Sequence, residues 1–100
     1  MRLFGEIDIS NAHELGRAIS SRVPNHAPAV IVDLSELLYL DSSGLDMLFG
    51  LHRRLTTSRQ KLRIVAPKDA PIRRALELVG LDVTANVDFS LKAARAALDA

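Results

Sequence analysis

Val30-Ile31-Val32-Asp33-Leu34-Ser35, then Leu37-Leu38-Tyr39-Leu40, then Asp41-Ser42-Ser43-Gly44-Leu45, is the stretch on which the fold turns. An apolar run such as Val30 to Val32 and Leu34, rich in β-branched residues, suits a strand covered on both faces, as in a parallel sheet. The Asp-Ser-Ser-Gly cluster behind it supplies side-chain oxygens where the first turn of a helix has unpaired backbone N–H groups. The spacing therefore predicts a central strand over Ala29 to Leu34, a short extended piece over Leu37 to Leu40, and a helix from about Ser43 to Thr57. On local pattern alone, Ser42 and Ser43 are most simply helix caps. A cap lies at an accessible helix end, so a serine there can also carry or meet a phosphate.

Elements on either side repeat the alternation. Leu3, Gly5, Ile7 and Ile9 fall on one face of a period-two segment, with Phe4, Glu6 and Asp8 on the other. Ser10 and Asn11 then offer capping side chains, Glu14 stands three after Asn11 as in a capping box, and Ala12, Leu15, Ile19 and Val23 recur at helical spacing. Pro24 and Pro28 bracket a loop. The stripe Leu45, Leu48, Phe49, His52 and Leu55 faces inward from the second helix, whose carboxyl end carries Arg53 and Arg54. Lys61 to Ala66 reads as a third strand. Pro71 opens a third helix with Ile72, Ala75, Leu76 and Val79 inward, and Gly80 closes it in a left-handed cap. Val83, Ala85 and Val87 alternate as a fourth strand, and Ser90 caps a last helix bearing Leu91, Ala94 and Leu98. The sum is an α/β sandwich with a mostly parallel four-stranded sheet and four helices in one domain, residues 1–100. Ligands of such sheets gather where strand carboxyl ends meet helix amino termini, and Asp41 to Gly44 lie at such an end.

Composition removes several functions. Thirteen Lys and Arg against 12 Asp and Glu leave no global field toward nucleic acid or an anionic membrane. Three Phe and one Tyr are too few for a base-stacking platform, and Arg53-Arg54, Arg73-Arg74, Arg59, Lys61 and Arg63 read as a solvated face. The absence of cysteine removes thiolate metal sites and fits the cytoplasm. The amino terminus turns polar too early for a signal peptide, and no apolar run nears the ~20 residues that span a bilayer, so a soluble cytoplasmic protein is expected. His13, His26 and His52 are scattered without metal-ligand spacing. The serines lack the Gly-x-Ser-x-Gly of a nucleophile elbow. Asp33 ends an apolar run like the phosphoacceptor of a response-regulator receiver, but Glu6 and Asp8 are the sole candidates for the acidic cluster that would hold Mg²⁺ there. Asp33 is instead expected to cap or turn the loop before Leu37.

Gly5-Glu6-Ile7-Asp8, Val32-Asp33-Leu34-Ser35, Leu40-Asp41-Ser42-Ser43-Gly44-Leu45 and Arg73-Arg74-Ala75-Leu76-Glu77-Leu78-Val79-Gly80-Leu81 occur in the order and separation of four segments of the STAS domain. The chain resembles that domain over nearly its whole length, and in particular the bacterial anti-sigma factor antagonists. Two departures stand out. The additional strand that usually precedes the Gly-Glu-Leu-Asp strand has no room before Gly5, so this first family strand is expected to be missing and the bared edge to promote a homodimer. Ser58-Arg59-Gln60 also replaces a customary glycine turn.

The resemblance implies a protein-binding switch, not an enzyme. Unphosphorylated, such an antagonist binds an anti-sigma factor that is itself a serine kinase and so frees a sigma factor; the kinase then phosphorylates it, and a serine phosphatase resets the cycle. ATP and Mg²⁺ belong to the kinase, so no cofactor is expected here. By position Ser43 is the phosphoacceptor, and Asp8, Asp41 and Ser42 line the docking surface beside it; Gly44 either leaves room for a partner's backbone or is a packing space. The alternative implied by the family is a non-catalytic subunit docking on a lipid-transport ATPase or a stress-sensing assembly. A serine at position 43 favours the phosphorylation switch.

Overall fold

The computed structural model describes residues 1–99. In chain order it contains β1 (Arg2–Ile7), α1 (Ala12–Arg22), β2 (Ala29–Leu40), α2 (Ser42–Thr57), β3 (Lys61–Val65), α3 (Arg73–Leu78), α4 (Leu81–Thr84), β4 (Asn86–Asp88) and α5 (Leu91–Asp99). The four strands form one sheet in the order β1-β2-β3-β4, every pair parallel. Each connection therefore returns from the carboxyl end of one strand to the start of the next, which makes α1 and α2 run antiparallel to the strands and parallel to each other. They pack side by side, while α5 packs on β2, β3 and β4. No helix is long and apolar enough to cross a membrane among the described residues.

The core is aliphatic. Ile7, Ile19, Val32, Leu34, Leu37, Leu48, Ile64, Leu76 and Leu81 are essentially sealed from solvent. Burial of a side chain of this size contributes about 1.5 to 3 kcal/mol against leaving it in water. Leu48, Leu51 and Leu55 of α2 form the inward stripe, with Leu45, Phe49 and His52 at its half-buried margin.

Six local expectations are revised. The central strand is one element of 12 residues, not a strand followed by a separate piece, because β2 absorbs two irregularities against β1. Arg2 to Ile7 is matched by Asp33 to Leu40, so β2 spends extra residues between the pairs Arg2↔Asp33 and Phe4↔Glu36, and between Gly5↔Leu37 and Glu6↔Tyr39. Such bulges break the alternation of faces. They place Leu38 and Tyr39, neighbours in sequence, both in solvent, and bury Asp33 beside Leu34.

Asp33 is thus inside a strand, not in a loop. Its carboxylate accepts from the Ser35 backbone N–H at 2.9 Å and from Arg2 Nε at 3.2 Å. Burial pushes this carboxyl upward, but hydrogen bonds from Ser35 together with the Arg2 guanidinium outweigh it and hold the group below the ordinary carboxylate range.

Ile9 was expected on the inward face of the first strand, yet the strand stops at Ile7 and Ile9 is 83% exposed. Val79 likewise is exposed, because α3 ends at Leu78. Gly80 does adopt the left-handed conformation expected of it, with φ +73°. Val83 lies in α4, a single helical turn opened by Gly80, and the fourth strand is confined to Asn86–Asp88.

The expected basic face is dispersed. Arg63 forms a two-point ion pair with Asp88, at 2.6 and 2.9 Å, joining β3 to β4. Arg73 donates to the Ala66 carbonyl at 2.9 Å and lies 4.7 Å over the Phe89 ring. Arg59 occupies the turn where the family's glycine was missed, and its φ of +59° is the conformation that a glycine would adopt freely. The next residue, Gln60, is buried and donates through Nε2 to the carbonyls of Pro24 and Ala27, which pins the proline loop to the start of β3.

Candidate functional site

Asp41 organises the carboxyl ends of β1 and β2. It sits in extended backbone before α2, where its Oδ1 accepts from the N–H groups of Ser43 at 2.9 Å and Gly44 at 3.1 Å. Oδ2 accepts from the Ile9 N–H at 3.2 Å. One carboxylate thereby caps α2 and ties the β1–α1 turn to it. A cap of this kind is worth about 0.5 to 2 kcal/mol. The expectation that the serines are the caps is corrected: aspartate reaches the same N–H groups from one position earlier, and both hydroxyls are released from capping.

The β1–α1 turn is equally tied. The Asp8 carboxylate accepts from the backbone N–H and the hydroxyl of Ser10. The Ser10 hydroxyl, seconded by its N–H, lowers the Asp8 carboxyl from its usual value. The Asn11 side chain accepts from the Asp8 N–H and donates to the Glu6 carbonyl, each at 2.9 Å. Asn11 precedes α1 as expected, but its side chain faces back to the strand and makes no hydrogen bond into the helix. This backward tie turns the chain sharply after Ile7 and carries Ile9 outward.

Ser42 is exposed and Ser43 half-buried at the mouth of α2. Gly44 is buried. A Cβ there would collide with Leu40 Cδ1 and come within 3.0 Å of Ile7 Cγ2, so the glycine lets α2 settle onto the ends of β1 and β2. It contributes to packing under the serines.

Between α1 and α2 runs a groove of about 500 Å³, with Ser43 and Ile9 at one end, His13, Gly16 and Arg17 along α1, and Asp46 and Met47 along α2. The structure thus gathers Asp8, Asp41, Ser42 and Ser43 at one end of the sheet and adds Ile9, His13 and Arg17. Ile9 was hidden in the sequence by its period-two position. Its signal was the Asp8-Ile9-Ser10-Asn11 context, in which three residues that favour turns surround it.

This arrangement of strand ends, Asp41 cap and bared serines corresponds to a known family, since the STAS domain model matches residues 1–94. The chain belongs to the STAS domain family. It is 36% identical over 80 residues to the anti-sigma-F factor antagonist RsfB of Mycobacterium tuberculosis, in strains CDC 1551 / Oshkosh and H37Rv. That match covers 80% of this chain and 64% of the relatives' length. Among solved structures, an anti-sigma factor antagonist from Mycobacterium paratuberculosis superimposes with a TM-score of 0.86 at 33% identity, over 99% of this chain and 83% of the other. The anti-sigma factor antagonist SpoIIAA in its unphosphorylated form shares the fold, with a TM-score of 0.70 at 24% identity over 92% of this chain and 80% of the other. Homologues of this STAS domain are therefore anti-sigma factor antagonists.

Proposed function

We propose that this chain is an anti-sigma factor antagonist that binds an anti-sigma serine kinase when unphosphorylated and is switched off by phosphorylation at Ser43. The observation that carries the reading is the division of labour at the mouth of α2. Asp41 satisfies the helix N–H groups, so the Ser43 hydroxyl can be modified without uncapping the helix. The protein acts by binding, with the kinase supplying ATP and Mg²⁺, and a serine phosphatase restores the hydroxyl.

Asp8, Asp41, Ser42 and Ser43 form the polar part of the docking surface. Exposed Ile9 provides an apolar anchor of the kind that dominates interface energetics when a partner's pocket receives it. A phosphate on Ser43 adds about −1.5 to −2 charge in the middle of that surface. The fold survives because the new charge lies at the positive end of the α2 dipole.

The reading is tested by incubating the purified chain with its binding kinase, Mg²⁺ and ATP, then mapping the phosphate by fragmentation mass spectrometry. Phosphate on Ser43 alone is expected. Modification of Ser42 instead, or capture of the chain by a transport ATPase with Ser43 unmodified, would refute it.

A further inference from the structure

We infer that a phosphate on Ser43 is held across the α1–α2 groove by His13 and Arg17 of the same chain. This rests on the reading of Ser43 as phosphoacceptor and adds where the phosphate goes. The usual receptors of an anion at a helix amino terminus are its free N–H groups. Two of them are taken here: the N–H groups of Ser43 and Gly44 already donate to Asp41 Oδ1, while that of Ile9, in the neighbouring turn, donates to Oδ2. To reach those two groups a phosphate would have to displace a carboxylate that ties two loops together, which favours side-chain partners across the groove.

Two of the basic residues that line the groove, His13 and Arg17, lie on α1. The two helices run parallel, and their register is fixed where Gly16 meets Met47, a Cβ on Gly16 standing 3.0 Å from Met47 Cγ. One turn toward the amino end of each helix from that contact are His13 and Ser43, and both line the groove. Arg17 follows His13 by one turn, about 6 Å along the axis, within reach of a guanidinium on its long stem. Both side chains belong to exposed residues, so they are free to turn toward the groove. Arg54 also lines the groove, but it stands 11 residues beyond Ser43, about 16 Å down α2, and is too distant.

The acidic groups around the serine sharpen the argument. Asp46 shares the groove, one turn after Ser43, while Asp41 and Asp8 flank the turn above it. A doubly charged phosphate among three carboxylates is driven toward the side of the groove that carries His13 and Arg17, which is α1. Arg17 supplies a guanidinium with two-point hydrogen bonding, and the His13 imidazole supplies a further N–H donor. Once drawn to the phosphate, these cations are no longer available to a partner's carboxylate, so modification would both add repulsion and remove attraction at the docking surface.

The test uses the whole chain with phosphoserine installed at position 43 during translation, so that it does not depend on any kinase. The phosphate's second ionisation, ordinarily near pH 6, is followed by ³¹P NMR in the otherwise unaltered protein, in Arg17→Gln and in His13→Gln. Loss of a nearby cation raises that midpoint. We expect an increase of roughly 0.5 unit or more in Arg17→Gln and a smaller one in His13→Gln, with unchanged circular dichroism. The same midpoint in all three proteins would overturn the clamp, whether or not a kinase modifies Ser43. A kinase that leaves Ser43 untouched while the midpoints separate as expected would overturn the phosphorylation reading alone.

Discussion

Alanine at each of two glycines of α2 should act in opposite directions. Gly50 lies mid-helix, and a Cβ there meets nothing nearer than Arg53 Nη2 at 3.8 Å, an ordinary contact. Gly50→Ala should therefore recover the helix propensity lost to glycine and stabilise the fold by about 0.5 to 1 kcal/mol. Gly44→Ala gains less propensity, since Gly44 stands in the first turn, and drives its Cβ against Leu40 and Ile7. Leu40 can shift its side-chain end, but Ile7 is 1% exposed and has nowhere to go. Overpacking of this kind costs about 1 to 3 kcal/mol, leaving a net loss of about 1 to 2 kcal/mol. The two variants should differ by about 1.5 to 3 kcal/mol, which at about 4 to 8 °C per kcal/mol for a domain of this size separates their melting temperatures by at least about 6 °C. Thermal unfolding followed by circular dichroism measures this directly. Equal melting temperatures for Gly44→Ala and Gly50→Ala would refute the claim that α2 seats on the strand ends through Gly44.

Gln60→Ala should cost about 1 to 3 kcal/mol in urea unfolding, because the Ala27 carbonyl loses its side-chain donor and the proline loop its anchor. Arg59→Gly should stabilise the protein by about 0.5 to 1 kcal/mol by relieving the left-handed backbone, and any destabilisation in the same assay would contradict the φ of +59°. Asp33→Asn should lower stability at pH 7 and leave it little changed in acid. The folded carboxyl is held below its unfolded value near 4, so its contribution is present above that pH and lost as pH falls through the lower folded value. Unfolding curves of the two proteins should converge as pH falls through the lowered range of the folded carboxyl, and a constant gap from pH 7 downward would show that the Ser35 and Arg2 contacts are not responsible.

The order of strands and helices was legible because burial on both faces leaves the central strand as an apolar run, while Leu48 and Leu55 keep a helical period. Ser90 and Gly80 were equally readable, since each does what its side chain favours: the Ser90 hydroxyl accepts from the Ala93 N–H, and Gly80 takes a positive φ. Long-range register was not legible. Nothing in the residues from Asp33 to Tyr39 states that β1 will match eight residues with six, and it is those bulges that bury Asp33 and expose Leu38. The site shows the same division. Asp41, Ser42 and Ser43 stood out by type and spacing, but Asp and Ser compete for the same capping role, and the hydrogen bond from Ile9, 32 residues distant, favours the aspartate. His13 and Arg17 were invisible as site residues because the register of α1 on α2, set by Gly16 against Met47, places them there.

The central claim rests on one affinity ratio: that of the anti-sigma kinase for the unmodified chain against the chain carrying phosphate on Ser43, measured by calorimetric titration at one ionic strength. At an effective dielectric near 20, each added charge repels a partner carboxylate about 5 Å away by roughly 3 kcal/mol. The account therefore predicts that phosphorylation weakens the complex by at least about 100-fold, with an unchanged circular dichroism spectrum and with Ser43→Ala binding like the unmodified protein. Equal affinities for the phosphorylated and unmodified chains would contradict it.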